Sequence, residues 1–138
     1  MENPKKPYLL NIDTSRITSM FELFNGNKLQ VYGNEIFKEI EELDLSTWDT
    51  SNVTDMGGMF NMCTNLKKLN ISNFDTSEVT SMKRMFDNCR NLVSLDLSNF
   101  DTTNVTNMAD MFFSCNKLQS LNISSFNTEK VTQMYSMF

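Results

Sequence analysis

Three cysteines, Cys63, Cys89 and Cys115, fall 26 residues apart, and Asp49, Asp75 and Asp101 repeat at the same interval with Asn127 in the next place. Spaced thiols suggest redox or metal chemistry, and a file of carboxylates suggests a calcium site between layers or a general acid–base pair. Neither set has the spacing those chemistries need. The cysteines form no C-x-x-C arrangement, and the chain has no histidine to complete a zinc site. The aspartates come without EF-hand or Gly-Asp nonapeptide patterning. A carboxylate that returns in every copy is what repetition produces, whereas an active site is a local break in it. The cysteines therefore read as reduced core thiols, and the aspartates as turn or cap residues that bond nearby main-chain N–H groups. No catalytic, metal-binding or cofactor-binding residue is expected, and the chain is not expected to be an enzyme.

The interval that spaces these residues runs through the whole chain. Leu43, Leu69, Leu95 and Leu121 head successive copies, followed two residues on by Leu45, Ile71, Leu97 and Ile123. Trp48, Phe74, Phe100 and Phe126 form one column, and Val53, Val79, Val105 and Val131 another. Met56, Met82, Met108 and Met134 form a third, and the pairs Met59–Phe60, Met85–Phe86, Met111–Phe112 and Met137–Phe138 a fourth. Within a copy, "LDLS" (43–46) alternates apolar and polar as a half-buried strand does. From Val53 the apolar positions run 53, 56, 59, 60, 63, the spacing of one helix face. Asp49-Thr50-Ser51 supplies turn chemistry between the two. Each copy is thus predicted to be strand, polar turn and short helix, with a core completed only by stacking on its neighbours.

The pattern L-x-L-S-x-F-D-T-S-x-V-T-x-M-x-x-M-F-x-x-C resembles the BspA-like leucine-rich repeat (the DUF285 group), with copies at 43–68, 69–94, 95–120 and 121–138. The resemblance implies an α/β fold: a right-handed leucine-rich-repeat solenoid of 26-residue repeats, with a parallel β-sheet on one face and short helices on the other. It also implies binding, since many proteins of this kind are surface or secreted binding proteins of bacteria and protists. Residues 1–42 are expected to form an N-terminal cap. Asp13-Thr14-Ser15 and Ile17, Met20, Leu23 and Phe24 make a degenerate copy, Gly26 a helix stop, and residues 29–37 a hairpin about Gly33-Asn34. The last of the four repeats, 43–138 in all, is incomplete, which exposes an apolar edge suited to self-association or marks a cut in a longer parent.

Seventeen acidic against twelve basic residues give a net charge of −5, which disfavours nucleic acid and anionic membranes as partners. No apolar stretch suits a signal peptide or a membrane span, so the chain as written is expected in the cytoplasm, or at the cell surface if excised from a longer protein. The glycosylation sequons at Asn52, Asn70, Asn104 and Asn122 arise from repetition.

Repetition builds a surface, and the outward strand positions form its columns. Glu42, Lys68, Ser94 and Ser120 make one; Asp44, Asn70, Asp96 and Asn122 make the next. Departures from the repeat stand out as well: Phe113 where other copies have Asn61 and Asp87, Met62 where they have Asn88 and Ser114, and Tyr135 where they have Gly57, Lys83 and Ala109. Lys67, Lys68, Lys83, Arg84 and Arg90 gather in one copy behind Glu39, Glu41, Glu42 and Asp44, a dipolar pattern suited to a charged partner. Asp44, Lys68, Asn70, Asp96, Asn122, Met62, Phe113 and Tyr135 are therefore the candidate partner-binding residues. The expected function is non-catalytic recognition of another macromolecule, a protein first and a glycan second. It takes one of two forms: a small intracellular, phage-type inhibitor of a host or defence protein, or an excised fragment of a bacterial or protist adhesin.

Overall fold

A computed structural model of the chain describes residues 12–26 and 39–138. The hairpin expected at 29–37 lies outside them. Four three-residue strands recur at the repeat interval: β1 (Glu42–Asp44), β2 (Lys68–Asn70), β3 (Ser94–Asp96) and β4 (Ser120–Asn122). β1 pairs with β2 and β3 with β4, both parallel. Leu43 stands opposite Leu69 and Leu95 opposite Leu121, so each partner is the same repeat position one copy on.

A second ladder of isolated parallel bridges joins Ser19 to Asp55, Asp55 to Ser81, Ser81 to Asn107 and Asn107 to Gln133. It starts in the degenerate copy, where Met20, Glu22, Phe24 and Gly26 N–H groups donate to the carbonyls of Asp55, Gly57, Met59 and Asn61. Residues 12–26 are thus the first layer of the stack.

The short helices expected from Val53, Val79 and Val105 are not formed. Met56, Gly58, Phe60 and Met62 donate their N–H groups to Ser81, Lys83, Met85 and Asp87 of the next copy. The residues between them, Met59, Asn61 and Cys63, donate backward to Met56, Gly58 and Phe60. An α-helix would need each N–H to reach the carbonyl four residues earlier. Here alternate N–H groups leave the copy altogether, and the chain advances by successive turns. Left-handed residues complete the break: Gly58 (φ 60°), Met62 (62°), Arg84 (57°), Asn88 (59°), Asp110 (56°) and Ser114 (58°). At Gly58 a Cβ would also lie 2.8 Å from the Glu22 Cγ of the preceding layer. Turns of this length send an apolar side chain inward every three or four residues, which is why the spacing imitates a helix face.

Those inward side chains make the core. Phe24, Phe60, Phe86 and Phe112 are buried and stack with one another and with the exposed Phe138, ring centroids 5.6 to 5.7 Å apart and planes within 17° of parallel. Val53, Met56 and Met59, with their counterparts in the next two copies, are wholly buried beside them, as are Leu66 and Leu92, while Leu118 of the following copy is partly buried.

One polar column runs through this interior. Thr14, Thr50, Thr76 and Thr102 are each no more than 2% exposed. Their hydroxyls donate to the carbonyls of Asp49, Asp75, Asp101 and Asn127, at 2.8 to 2.9 Å. Three of the same hydroxyls accept the N–H groups of Asp49, Asp75 and Asn127. Thr50→Val keeps the shape but orphans a buried donor and a buried acceptor, each worth about 1–3 kcal/mol. Urea unfolding should therefore show a loss of about 2–4 kcal/mol for Thr50→Val, against less than about 0.5 kcal/mol for Thr128→Val at the exposed end of the column. Equal losses would mean that the shared hydroxyl does not hold the copies together.

Candidate functional site

The cysteine column lies in the core. The Cys63, Cys89 and Cys115 thiols are free and donate to the carbonyls of Phe24, Phe60 and Phe86 at 3.1 to 3.2 Å. Burial pushes the Cys63 thiol up to about 12 and Cys115 up to about 11, and raises Cys89 well above its ordinary value. Thiolate is the reactive form, and a thiol titrating near 11 is only ~0.1% ionised at about pH 8. Iodoacetamide should modify Cys115 first and reach Cys63 and Cys89 only as the chain unfolds. Rapid native labelling of Cys89, read by mass spectrometry, would contradict the buried assignment.

The aspartate column lies at the surface and serves the turns. Asp49, Asp75 and Asp101 each accept the N–H of the residue two positions on, Ser51, Ser77 and Thr103, at 2.9 to 3.0 Å. Asn127 makes the same bond to Glu129 at 2.9 Å. In Asp49 and Asp101 the neighbouring hydroxyl, and then the main-chain N–H, hold the carboxyl below its usual 3.8. A folded value below the unfolded one gives stability that is complete above the unfolded value and lost as pH falls through the folded one. The urea midpoint should fall as pH drops through and below the ordinary carboxylate range, and the Asp49→Asn, Asp101→Asn double variant should fall less steeply. Identical acid limbs would show that the carboxylate charge is not what the turns use.

The strand-face candidates come together in register. Asp44 stands opposite Asn70, and Asp96 opposite Asn122. Each also shapes its own strand end, accepting the N–H of Ser46, Ser72, Ser98 or Ser124. Lys68 pairs with Glu42 at 2.8 Å and Lys67 with Glu41 at 3.1 Å, both one copy apart. Arg84 pairs likewise with Asp110 at 3.1 Å. Three of the five clustered basic residues thus pair with carboxylates of neighbouring copies, while Arg90 donates to Asn88 within its own copy.

The remaining candidates lie on the other ladder. Phe113 is 45% and Tyr135 56% exposed, while Met62 is half-buried in a left-handed turn. The Asp110 N–H donates to the Tyr135 carbonyl, and the Asn88 N–H to that of Phe113. The eight candidates therefore form two groups, five on the strand side and three on the turn side. Sequence reasoning missed Phe21, which is 53% exposed and sits over Gly57 in the column that Tyr135 ends. Its signal was available, as the aromatic at the matching position of the degenerate copy.

A cavity of about 410 Å3 lies at the last copy, bordered by Phe112, Cys115, Leu118, Leu121 and Phe138. Among the described residues no helix is long and apolar enough to cross a membrane.

A family model described as "Mycoplasma protein of unknown function, DUF285" matches residues 30–138, and the chain belongs to that family. No curated protein and no solved structure matches it.

Proposed function

We propose that the chain is a non-catalytic binding module, a BspA-like leucine-rich-repeat solenoid of right-handed coils, whose strand face recognises another protein. One observation carries the reading: the parallel pairing sets the polar strand-face columns side by side in register, most of them exposed. The thiols are engaged by carbonyls and the carboxylates by turn N–H groups. The paired columns offer polar side chains at strand spacing, the short ones gathered on β3 and β4 as Ser94, Ser120, Asp96 and Asn122. Small amides and hydroxyls lose little entropy on binding, which favours recognition by many modest hydrogen bonds.

An inhibitor of an intracellular protein and a piece of a surface adhesin both fit such a face, and the partner separates them. Affinity capture from the source organism's lysate, and from a host-surface extract, should return a protein with the wild-type chain. Ser94→Lys with Ser120→Lys alters the face without removing a turn bond, since both side chains point outward from exposed positions. The captured protein should be lost with that double variant and kept with Phe113→Asp. The opposite pattern would move the interface to the turn side, and loss with neither would overturn the reading. Unchanged urea midpoints in both variants guard against loss through unfolding.

A further inference from the structure

The strand face changes character between its two halves. Over β1–β2 it is charged and self-paired: Lys67 bonds Glu41 at 3.1 Å and Lys68 bonds Glu42 at 2.8 Å, each across one copy. The same two columns lose every charge at β3–β4, where Val93 and Gln119 follow Lys67, and Ser94 and Ser120 follow Lys68. The Gln119 and Ser120 N–H groups donate to the Val93 carbonyl at 2.9 and 3.3 Å, which sets these residues in adjoining layers. All four side chains are exposed, Val93 by 42%. Val93 is the one apolar residue of its column, in which Glu41, Lys67 and Gln119 hold the other places.

An exposed apolar side chain beside uncharged serines and a glutamine has the composition of an interface centre, where charged residues are depleted. Covering the β1–β2 half would instead strip water from two ion pairs, whose mutual attraction need not repay the loss. Asp96 stands three residues along from Val93. Its Oδ1 accepts the Ser98 N–H at 2.9 Å, but the residue forms no ion pair among the described residues. That main-chain bond holds the carboxyl below its usual range, so the charge persists. Asn122, opposite it on β4, brings no countercharge.

We propose that the partner protein docks on the β3–β4 half of the strand face, seating an apolar side chain against Val93 and a lysine or arginine against Asp96. This rests on the reading that the strand face binds protein, and says which half binds and what it selects. At about 3.3 Å per residue the two points stand about 10 Å apart, which sets the spacing of the partner's apolar and basic groups. The net charge of −5 draws a basic surface toward the chain, and Asp96 fixes where it settles.

A displayed random-heptapeptide library panned on the full chain supplies the probe. Selected peptides should carry an apolar residue and a lysine or arginine, and in NMR titrations should shift the Val93, Ser94, Asp96 and Gln119 amides. Val93→Lys, which installs the residue that the preceding copy carries as Lys67, should weaken them at least tenfold. Gln119→Lys, exposed in the adjoining layer, gives the same reading if Val93→Lys lowers the urea midpoint. Asp96→Asn keeps the turn bond that Asn122 makes in the next copy, and should weaken binding several-fold and flatten its salt dependence. Glu42→Gln with Lys68→Gln, on the other half, should change affinity less than twofold. Selection of acidic peptides or of none, or indifference to Val93→Lys and Asp96→Asn, would overturn the proposal. Shifts centred on Lys67 and Lys68 would keep the strand face as the binding surface and overturn this half of it alone. Shifts centred on Phe113 would overturn the strand-face reading itself.

Discussion

A buried threonine hydroxyl, shared between two copies, is the interaction on which the stack depends. In copy after copy it gives its proton to one carbonyl of the next layer and takes the N–H of the same residue. Where the turns of each copy replace a helix, alternate main-chain N–H groups must find partners in the next copy, and an unpartnered buried group costs as much as a lost hydrogen bond. The threonine meets that demand at the corner where the chain turns away from the strand. It also fixes register. A slip of one residue would bring an aspartate or a serine to the position that is now almost fully buried, and the aspartate would have to be buried without the turn N–H groups that now hold it.

With register fixed, the aromatic and methionine columns follow. Five phenylalanines can stack at near-constant separation only if every layer repeats the same path. The thiols follow too, since each reaches the carbonyl of the stacked phenylalanine in the preceding copy. The left-handed turns are the cost of this arrangement. Non-glycine residues such as Met62, Arg84 and Asn88 occupy a backbone region that L-residues enter at a penalty of roughly 1–2 kcal/mol. The bonds from Met62 to Asp87 and from Asn88 to Phe113 are what offset it.

The columns, the strand positions and the place of residues 12–26 were legible from spacing alone, because a 26-residue period puts identical residues side by side whatever the path between them. The path was less legible. Val53, Met56, Met59, Phe60 and Cys63 carry helical spacing, but a run of turns with one inward residue each produces the same numbers. The glycine pair 57–58 was the local sign against a helix, and it occurs in one copy only. At the candidate site, the role of the aspartates in local bonding was readable from Asp-Thr-Ser, a turn-forming order. The threonine between them was not singled out, since nothing in a sequence distinguishes a buried hydroxyl from an exposed one. The ion pairs were out of reach for a related reason: Lys67 and Lys68 sit far from Glu41 and Glu42 along the chain, and only stacking brings them together.

The two ladders divide the work between them. The turn-side ladder runs unbroken from Ser19 to Gln133 and carries main-chain bonds at alternate residues, so a substitution there disturbs two layers at once. The strand side is thinner, three residues to a layer, and its outward side chains touch mainly their own turn or the matching position one copy away. Stability is therefore concentrated on one side and freedom to vary on the other. Asn99 and Ser125 illustrate the consequence, since at one exposed column an amide and a hydroxyl make the same pair of bonds, to the Ile71 and Phe74 carbonyls in one case and to those of Leu97 and Phe100 in the other. A stack that is held from the turn side can tolerate such differences, and differences between otherwise equal copies are the means by which a repeated surface acquires a particular partner.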